Sequence, residues 1–135
     1  NLIKAICEVA SKKRDKLIIH GNDYNTKDGT TIRDLIHVLD IAEIHMIVAK
    51  ELILKGENEI YNCGYGKGIS VQEVINEMNK ILKIKLPVEF GPRRKGDANF
   101  SVANTDKFTK RFNWQPKFND LKVILESAFN WEKKI

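Results

Sequence analysis

Apolar residues along the chain fall into two rhythms, and each predicts its own kind of element. Leu2, Ile3, Ile6 and Val9 recur at helical spacing until the polar run "SKKRD" replaces them, which predicts an amphipathic helix over residues 2–13. "KLIIH" predicts a short strand, and "GNDYNTKDGT", rich in Gly, Asn and Asp, predicts a loop. "IRDLIHV" reads as extended. Asp40 with Glu43 then makes a capping-box-like start to a helix carrying Ile41, Ile44, Val48 and Leu52 and stopping near Gly56.

The second half repeats both rhythms. "EIYNC" has the β-branched and aromatic content of a strand, and "GYGKGI" is a tight loop leading to Ser70, whose partner Glu73 completes an S-x-x-E capping box. Val71, Val74, Ile75, Met78, Ile81 and Leu82 predict the helix that follows. "KLPVEF" predicts another strand, with Pro87 at its edge or start. After a brief extended "SVAN", Thr105 is placed to cap a short helix over Phe108 and Phe112, and Leu121, Ile124, Leu125 and Ala128 predict a last helix ending near Trp131. No repeat or linker divides the pattern, so the expected fold is one mixed α/β unit in which helices outnumber short strands.

Composition narrows this picture only slightly. With 135 residues, 42% hydrophobic and 30% charged, the chain has material for a single core. No apolar run approaches the ~20 residues of a membrane span and no leader pattern is present, so a soluble, cytoplasmic setting without a membrane partner is expected. Leu2 already belongs to an apolar stripe, which reads as the inside of a longer protein. Cys7 and Cys63 sit in apolar surroundings with no C-x-x-C pair or His cluster, so both are expected to be buried, reduced and inert, and no metal site is expected. The net charge of +5 favours anionic partners, but the basic residues are spread along the whole chain rather than gathered in one block.

Two stretches carry candidate chemistry. "YNCGYGKGISVQE" has the strand, glycine, helix layout that brings a backbone close to a pyrophosphate. Its G-x-G-x-G spacing is wrong for the dinucleotide fingerprint, and no strand ending in an acid follows, so a sharp turn and helix cap is the expected role. His20, His37 and His45 have no acidic or Ser neighbour at a telling spacing and read as structural. The turn "GPRRKGDANFS" places Arg93, Arg94 and Lys95 side by side, a repulsion that an anion would relieve. Guanidinium forks match phosphate oxygens with paired hydrogen bonds, and a carboxylate such as Asp97 accepts from the hydroxyls of a ribose, so the turn suggests a nucleoside diphosphate. Arg33 is a further candidate, with a local ion pair to Asp34 as the plain alternative.

"GNDYNTKDGTTIRDLIHVLDIAEIH", "YNCGYGKGISVQEVI", "GPRRKGD" and "FNWQPKFNDLKVILESAFNW" together resemble the C-terminal part of UDP-glucose 4-epimerases (UDP-galactose 4-epimerases), members of the extended short-chain dehydrogenase/reductase family. The resemblance spans the whole chain. It implies a small mixed α/β substrate-binding portion of an extended Rossmann-fold reductase, residues 1–135, with the NAD-binding N-terminal Rossmann domain and its Tyr-x-x-x-Lys pair absent from this chain. The full-length family members interconvert UDP-glucose and UDP-galactose through a 4-keto intermediate. These residues alone are expected to be inactive, to carry no catalytic residue and to hold no cofactor of their own.

Position by position, the resemblance puts Asn1, Arg33 and Arg94 on the substrate diphosphate, with Leu2 as the hydrophobic neighbour of Asn1, and the backbone of Ile18, Ile19 and His20 on uracil. It puts Asp97 on the ribose and Ser101 by the sugar, where some bacterial members have a bulky Tyr. Leu35 departs from the Tyr that often follows R-D. "EIYNC" is implied to pair with the missing Rossmann sheet. The partners so implied are a UDP-sugar and the Rossmann domain, with no nucleic acid and with a homodimer open for the full-length form. Rival readings are another extended reductase acting on a nucleotide sugar, such as a UDP-N-acetylglucosamine 4-epimerase or a decarboxylase, and a basic nucleic-acid-binding module.

Overall fold

The computed structural model describes residues 1–56 and 58–135. Ten elements follow one another: α1 (Leu2–Ala10), β1 (Leu17–His20), β2 (Ile32–Asp34), α2 (Val38–Lys55), β3 (Gly68–Ser70), α3 (Val71–Leu82), β4 (Val88–Gly91), β5 (Phe100–Ser101), α4 (Asp106–Phe112) and α5 (Leu121–Glu132). Helices and strands are equal in number among the described residues, but helices hold 43% of the chain and strands 12%, so the expected mixed, helix-dominated α/β class holds.

Two small sheets organise the strands. β1 pairs in parallel with β4, Leu17 opposite Val88 and His20 opposite Gly91. In the other sheet β2 is central, antiparallel to β3 and parallel to β5, with Arg33 opposite both Ile69 and Ser101. Pro87 precedes β4, where its missing N–H is not needed while its carbonyl accepts from Leu17 N at 2.9 Å.

The main core lies between α1, α3 and α5 and under β1. Ile6, Val74, Ile75, Met78 and Leu125 are each at most 1% exposed there. A second cluster joins α2 to α4 through Ile44, Phe108 and Trp114, with Tyr61 edge-on to Phe108 and to Phe112 at 5.6 Å. The predicted capping box at α3 is present, Ser70 Oγ accepting from Glu73 N at 3.0 Å and Glu73 Oε2 from Ser70 N at 2.8 Å. α5 is capped by Asp120, which accepts from Lys122 N at 2.7 Å.

Several predicted boundaries move, each for a local reason. α1 stops at Ala10, not at residue 13, because the Ser11 hydroxyl turns back to Cys7 O at 2.8 Å and Lys12 takes a left-handed φ of 60°. α2 begins at Val38, two residues before the predicted Asp40, because the His37 ring accepts from Leu39 N at 3.1 Å through Nδ1. Gly56 ends it as predicted, at φ 69°. α4 is capped by Asn104 Oδ1, which accepts from Asp106 N at 3.0 Å, while Thr105 makes no side-chain cap.

"EIYNC" forms no strand among the described residues. Its alternation survives, with Ile60 and Asn62 outward and Tyr61 and Cys63 partly covered, but a ladder needs a neighbouring backbone, and none is paired with it. α2 is likewise apolar on two sides. Ile44, Ile47 and Val48 face the second cluster, while Val38, Leu39, Met46, Ile53 and Leu54 stand 54–83% exposed.

Candidate functional site

One cavity of about 530 Å³ gathers residues from four distant parts of the chain. The N-terminus of α1 brings Asn1 and Leu2, β1 brings Ile18, Ile19 and His20, β2 brings Arg33, and the turn after β4 brings Arg94 and Asp97. Eight of the nine residues expected at a substrate site therefore share its wall. Ser101 is not among the lining residues. It lies on β5, opposite Arg33 in the parallel ladder, and is exposed.

The two arginines of the turn have separate tasks. Arg93 is used within the protein: its Nε donates to Asp23 Oδ1 at 2.7 Å and its guanidinium lies 4.4 Å from the centre of the Tyr24 ring. The Asp23 carboxyl is held below its usual range by that hydrogen bond. Arg94 faces the cavity and, among the described residues, has no carboxylate within 4 Å. Like-charge repulsion in the turn is thus partly relieved from within, and one guanidinium remains open to a ligand.

Arg33 does not pair with its neighbour Asp34, as the plain reading supposed. Successive strand residues point to opposite faces. Arg33 reaches Asp97 across the cavity at 3.8 Å, with its Nη1 also donating to Ile32 O at 2.8 Å. On the other face, Asp34 accepts from Tyr65 N at 3.0 Å, Gly66 N at 2.9 Å and Ala103 N at 3.3 Å.

Those contacts decide the role of the glycine loop. Two successive amides of "CGYG" already hold an anion, the chain's own carboxylate. A Cβ on Gly64 would stand 2.4 Å from Asp34 Oδ2, so glycine is required there for close approach, not for a cofactor phosphate. The loop does not fit a dinucleotide, because its amides are taken by Asp34.

Three further charged residues line the cavity that the sequence reading did not single out, Lys4, Glu8 and Arg14. For Lys4 and Glu8 the signal was the helical spacing from Asn1 through Lys4 to Glu8, which sets both on one face of α1, while Arg14 lies in the turn beyond the helix and joins them through Glu8. Glu8 meets Arg14 at 2.7 Å and Lys4 at 3.4 Å, and its carboxyl is held below the usual range first by the Arg14 hydrogen bond and then by Lys4. The wall thus carries four fixed cations, Lys4, Arg14, Arg33 and Arg94, against two carboxylates, Glu8 and Asp97. An excess of two positive charges suits a dianion.

The histidines and cysteines behave structurally, His20 at the cavity apart. His37 is 5% exposed, stacks on Phe118 at 4.7 Å, and donates through Nε2 to Ser127 Oγ at 2.9 Å, since its Nδ1 is occupied as the cap acceptor. Cys7 is buried and free, its thiol pushed up to about 11 mainly by burial, and Cys63 is free, partly covered and also raised by burial. Among the described residues no cluster could hold a metal ion, and no helix is long and apolar enough to cross a membrane.

Comparison with known proteins agrees with this architecture. A family model described as GDP-mannose 4,6 dehydratase matches residues 1–126. The UDP-glucose 4-epimerase of Halalkalibacterium halodurans is 38% identical over 134 residues, which is 99% of this chain and 40% of that protein. The structure of the UDP-Glc/GlcNAc 4-epimerase of Campylobacter jejuni superposes with a TM-score of 0.87 at 47% identity, covering 99% of this chain and 40% of the other. The UDP-glucose 4-epimerase of Bifidobacterium longum, in complex with NAD+ and UDP, gives a TM-score of 0.88 at 33% identity, over 99% of this chain and 39% of that one. The chain spans about 40% of the length of the curated relatives it matches and corresponds to the C-terminal part of an epimerase. On a match running from its first residue to residue 126, the chain belongs to the GDP-mannose 4,6 dehydratase family, alongside the UDP-glucose 4-epimerases.

Proposed function

We propose that this chain is the UDP-sugar-binding portion of a UDP-hexose 4-epimerase that interconverts UDP-glucose and UDP-galactose. The carrying observation is the cavity itself, where Arg33, Arg94 and Asp97 meet beside the α1 N-terminus with two positive charges in excess. A diphosphate diester carries two negative charges, so Arg33, Arg94 and Asn1 take the diphosphate, with Leu2 as the apolar neighbour of Asn1. Asp97 accepts from the ribose hydroxyls, and the backbone of Ile18, Ile19 and His20 takes the base. These residues bind and orient. The redox cofactor, NAD, and the proton-transfer pair belong to an N-terminal Rossmann portion, which is the proposed partner of this one. Nucleic acid and membranes are not proposed partners, since the unbalanced charge supports a small dianion. The same reading carries a cytoplasmic role in galactose metabolism and a homodimeric complete enzyme. A coupled assay of UDP-galactose to UDP-glucose conversion by the complete protein tests it, and absence of turnover together with absence of UDP binding would overturn it.

The reading extends to the sugar. Ser101 stands where some relatives place a tyrosine that closes over the sugar 2-position, and the Campylobacter jejuni protein is described as acting on both Glc and GlcNAc forms. UDP-N-acetylglucosamine is therefore expected to be a second substrate. Filling the space with Ser101→Tyr should cost the N-acetyl sugar about 1–3 kcal/mol, roughly five- to more than hundredfold in preference, with little change for UDP-glucose. A tyrosine variant that turns over both sugars as the wild type does would remove Ser101 from this role.

A further inference from the structure

The geometry points to Asp34 as a positioning residue for Arg33: held by the amides of Tyr65, Gly66 and Ala103, it fixes the setting of β2 that aims the arginine into the cavity. The inference rests on the diphosphate reading of Arg33 and goes beyond it, because Asp34 does not line the cavity. β2 is only three residues long, Ile32–Asp34, too short for its ladder alone to define the rotation of one side chain. The carboxylate supplies what the ladder lacks. Tyr65 and Gly66 lie in the loop that enters β3, and Ala103 lies just beyond β5, so a single side chain ties the central strand to the connections of both flanking strands.

Alternation then does the rest. With Asp34 pinned on one face, Arg33 must project from the other, where Asp97 and the cavity lie. The loop is built to this fit. Gly64 is buried and leaves no room for a Cβ, which would stand 2.4 Å from Asp34 Oδ2 and 2.9 Å from its Cγ. A carboxylate is also the chemically required group, because it accepts on both oxygens. Asparagine would turn an NH2 group toward at least one of the amide donors.

The test is a double-substitution cycle on the complete protein, with UDP binding read by calorimetry. Asp34→Asn is expected to weaken UDP binding about tenfold in the wild-type background, but less than about twofold when Arg33 is already alanine. A general loss of structure would weaken binding equally in both backgrounds. Gly64→Ala, which displaces the same carboxylate, is expected to reproduce the pattern and serves if the asparagine variant fails to fold. Equal losses in the two backgrounds, no loss at all, or failure of both variants to fold overturns the positioning role and leaves the diphosphate reading standing. Wild-type UDP affinity in Arg33→Ala alone overturns both.

Discussion

Arg94→Ala in the complete protein weakens UDP-sugar binding by roughly ten- to a hundredfold, while Arg93→Ala has a far smaller effect. The expectation follows from how the neighbours are used. Arg93 spends its guanidinium on Asp23 and on the face of Tyr24, outside the cavity, whereas Arg94 faces the cavity without a carboxylate partner among the described residues. A charge-assisted hydrogen bond to a phosphate is worth about 1.5–3 kcal/mol, which sets the range. Lysine at position 94 should recover only part of the loss, since it keeps the charge but not the planar fork. Calorimetric titration with UDP of both alanine variants decides the point, and equal losses would refute the division of labour.

Asp40→Ala is expected to be the most damaging single change to stability, at about 3–5 kcal/mol. Asp40 is 0% exposed and accepts from Tyr65 OH at 2.5 Å, Phe118 N at 3.0 Å and Lys117 N at 3.2 Å. Alanine leaves three donors facing one another without an acceptor. Tyr65 couples the damage to α2, because its hydroxyl oxygen also accepts from His37 N at 3.1 Å, beside the cap of that helix. Burial first and the Asp40 hydrogen bond second push the Tyr65 hydroxyl up to about 12, so it remains a donor throughout the physiological range. Tyr65→Phe removes one of the three contacts and should cost about 1–2 kcal/mol. Denaturant unfolding of the two variants checks both figures, and a loss below about 1 kcal/mol for Asp40→Ala would show that water replaces the missing oxygens.

The contrast between Asp40 and Ser70 explains how much of the fold is legible from sequence. Both positions look like capping boxes. Ser70 is one, because its partner Glu73 and the amides it serves lie within a single turn, and local geometry suffices. Asp40 is not, because its donors come from Tyr65 and from the 117–118 segment, which only the tertiary fold brings near. The same division holds at the site. The start of α3, the arginine turn and eight of the nine candidate lining residues can be read from spacing and resemblance. The opposite faces of Arg33 and Asp34 follow from the extended reading of "IRDLIHV", but the plain reading paired the two as neighbouring charges without using that alternation. Lys4 and Glu8 on the helix face and Arg14 in the turn after it escaped notice since such charges ordinarily serve solvent, and only the nearness of β1 and β2 makes theirs a wall.

α2 carries a consequence for how stability varies with temperature. Val38, Leu39, Met46, Ile53 and Leu54 are more than half exposed in the folded chain, and unfolding wets them far less than it wets a buried side chain. Apolar surface that stays hydrated on both sides of the transition adds almost nothing to the heat-capacity change, which otherwise runs near 12–15 cal/mol/K per residue. The stability curve of this chain is accordingly shallower than that of a chain of equal length with those side chains buried, with weaker curvature toward cold denaturation.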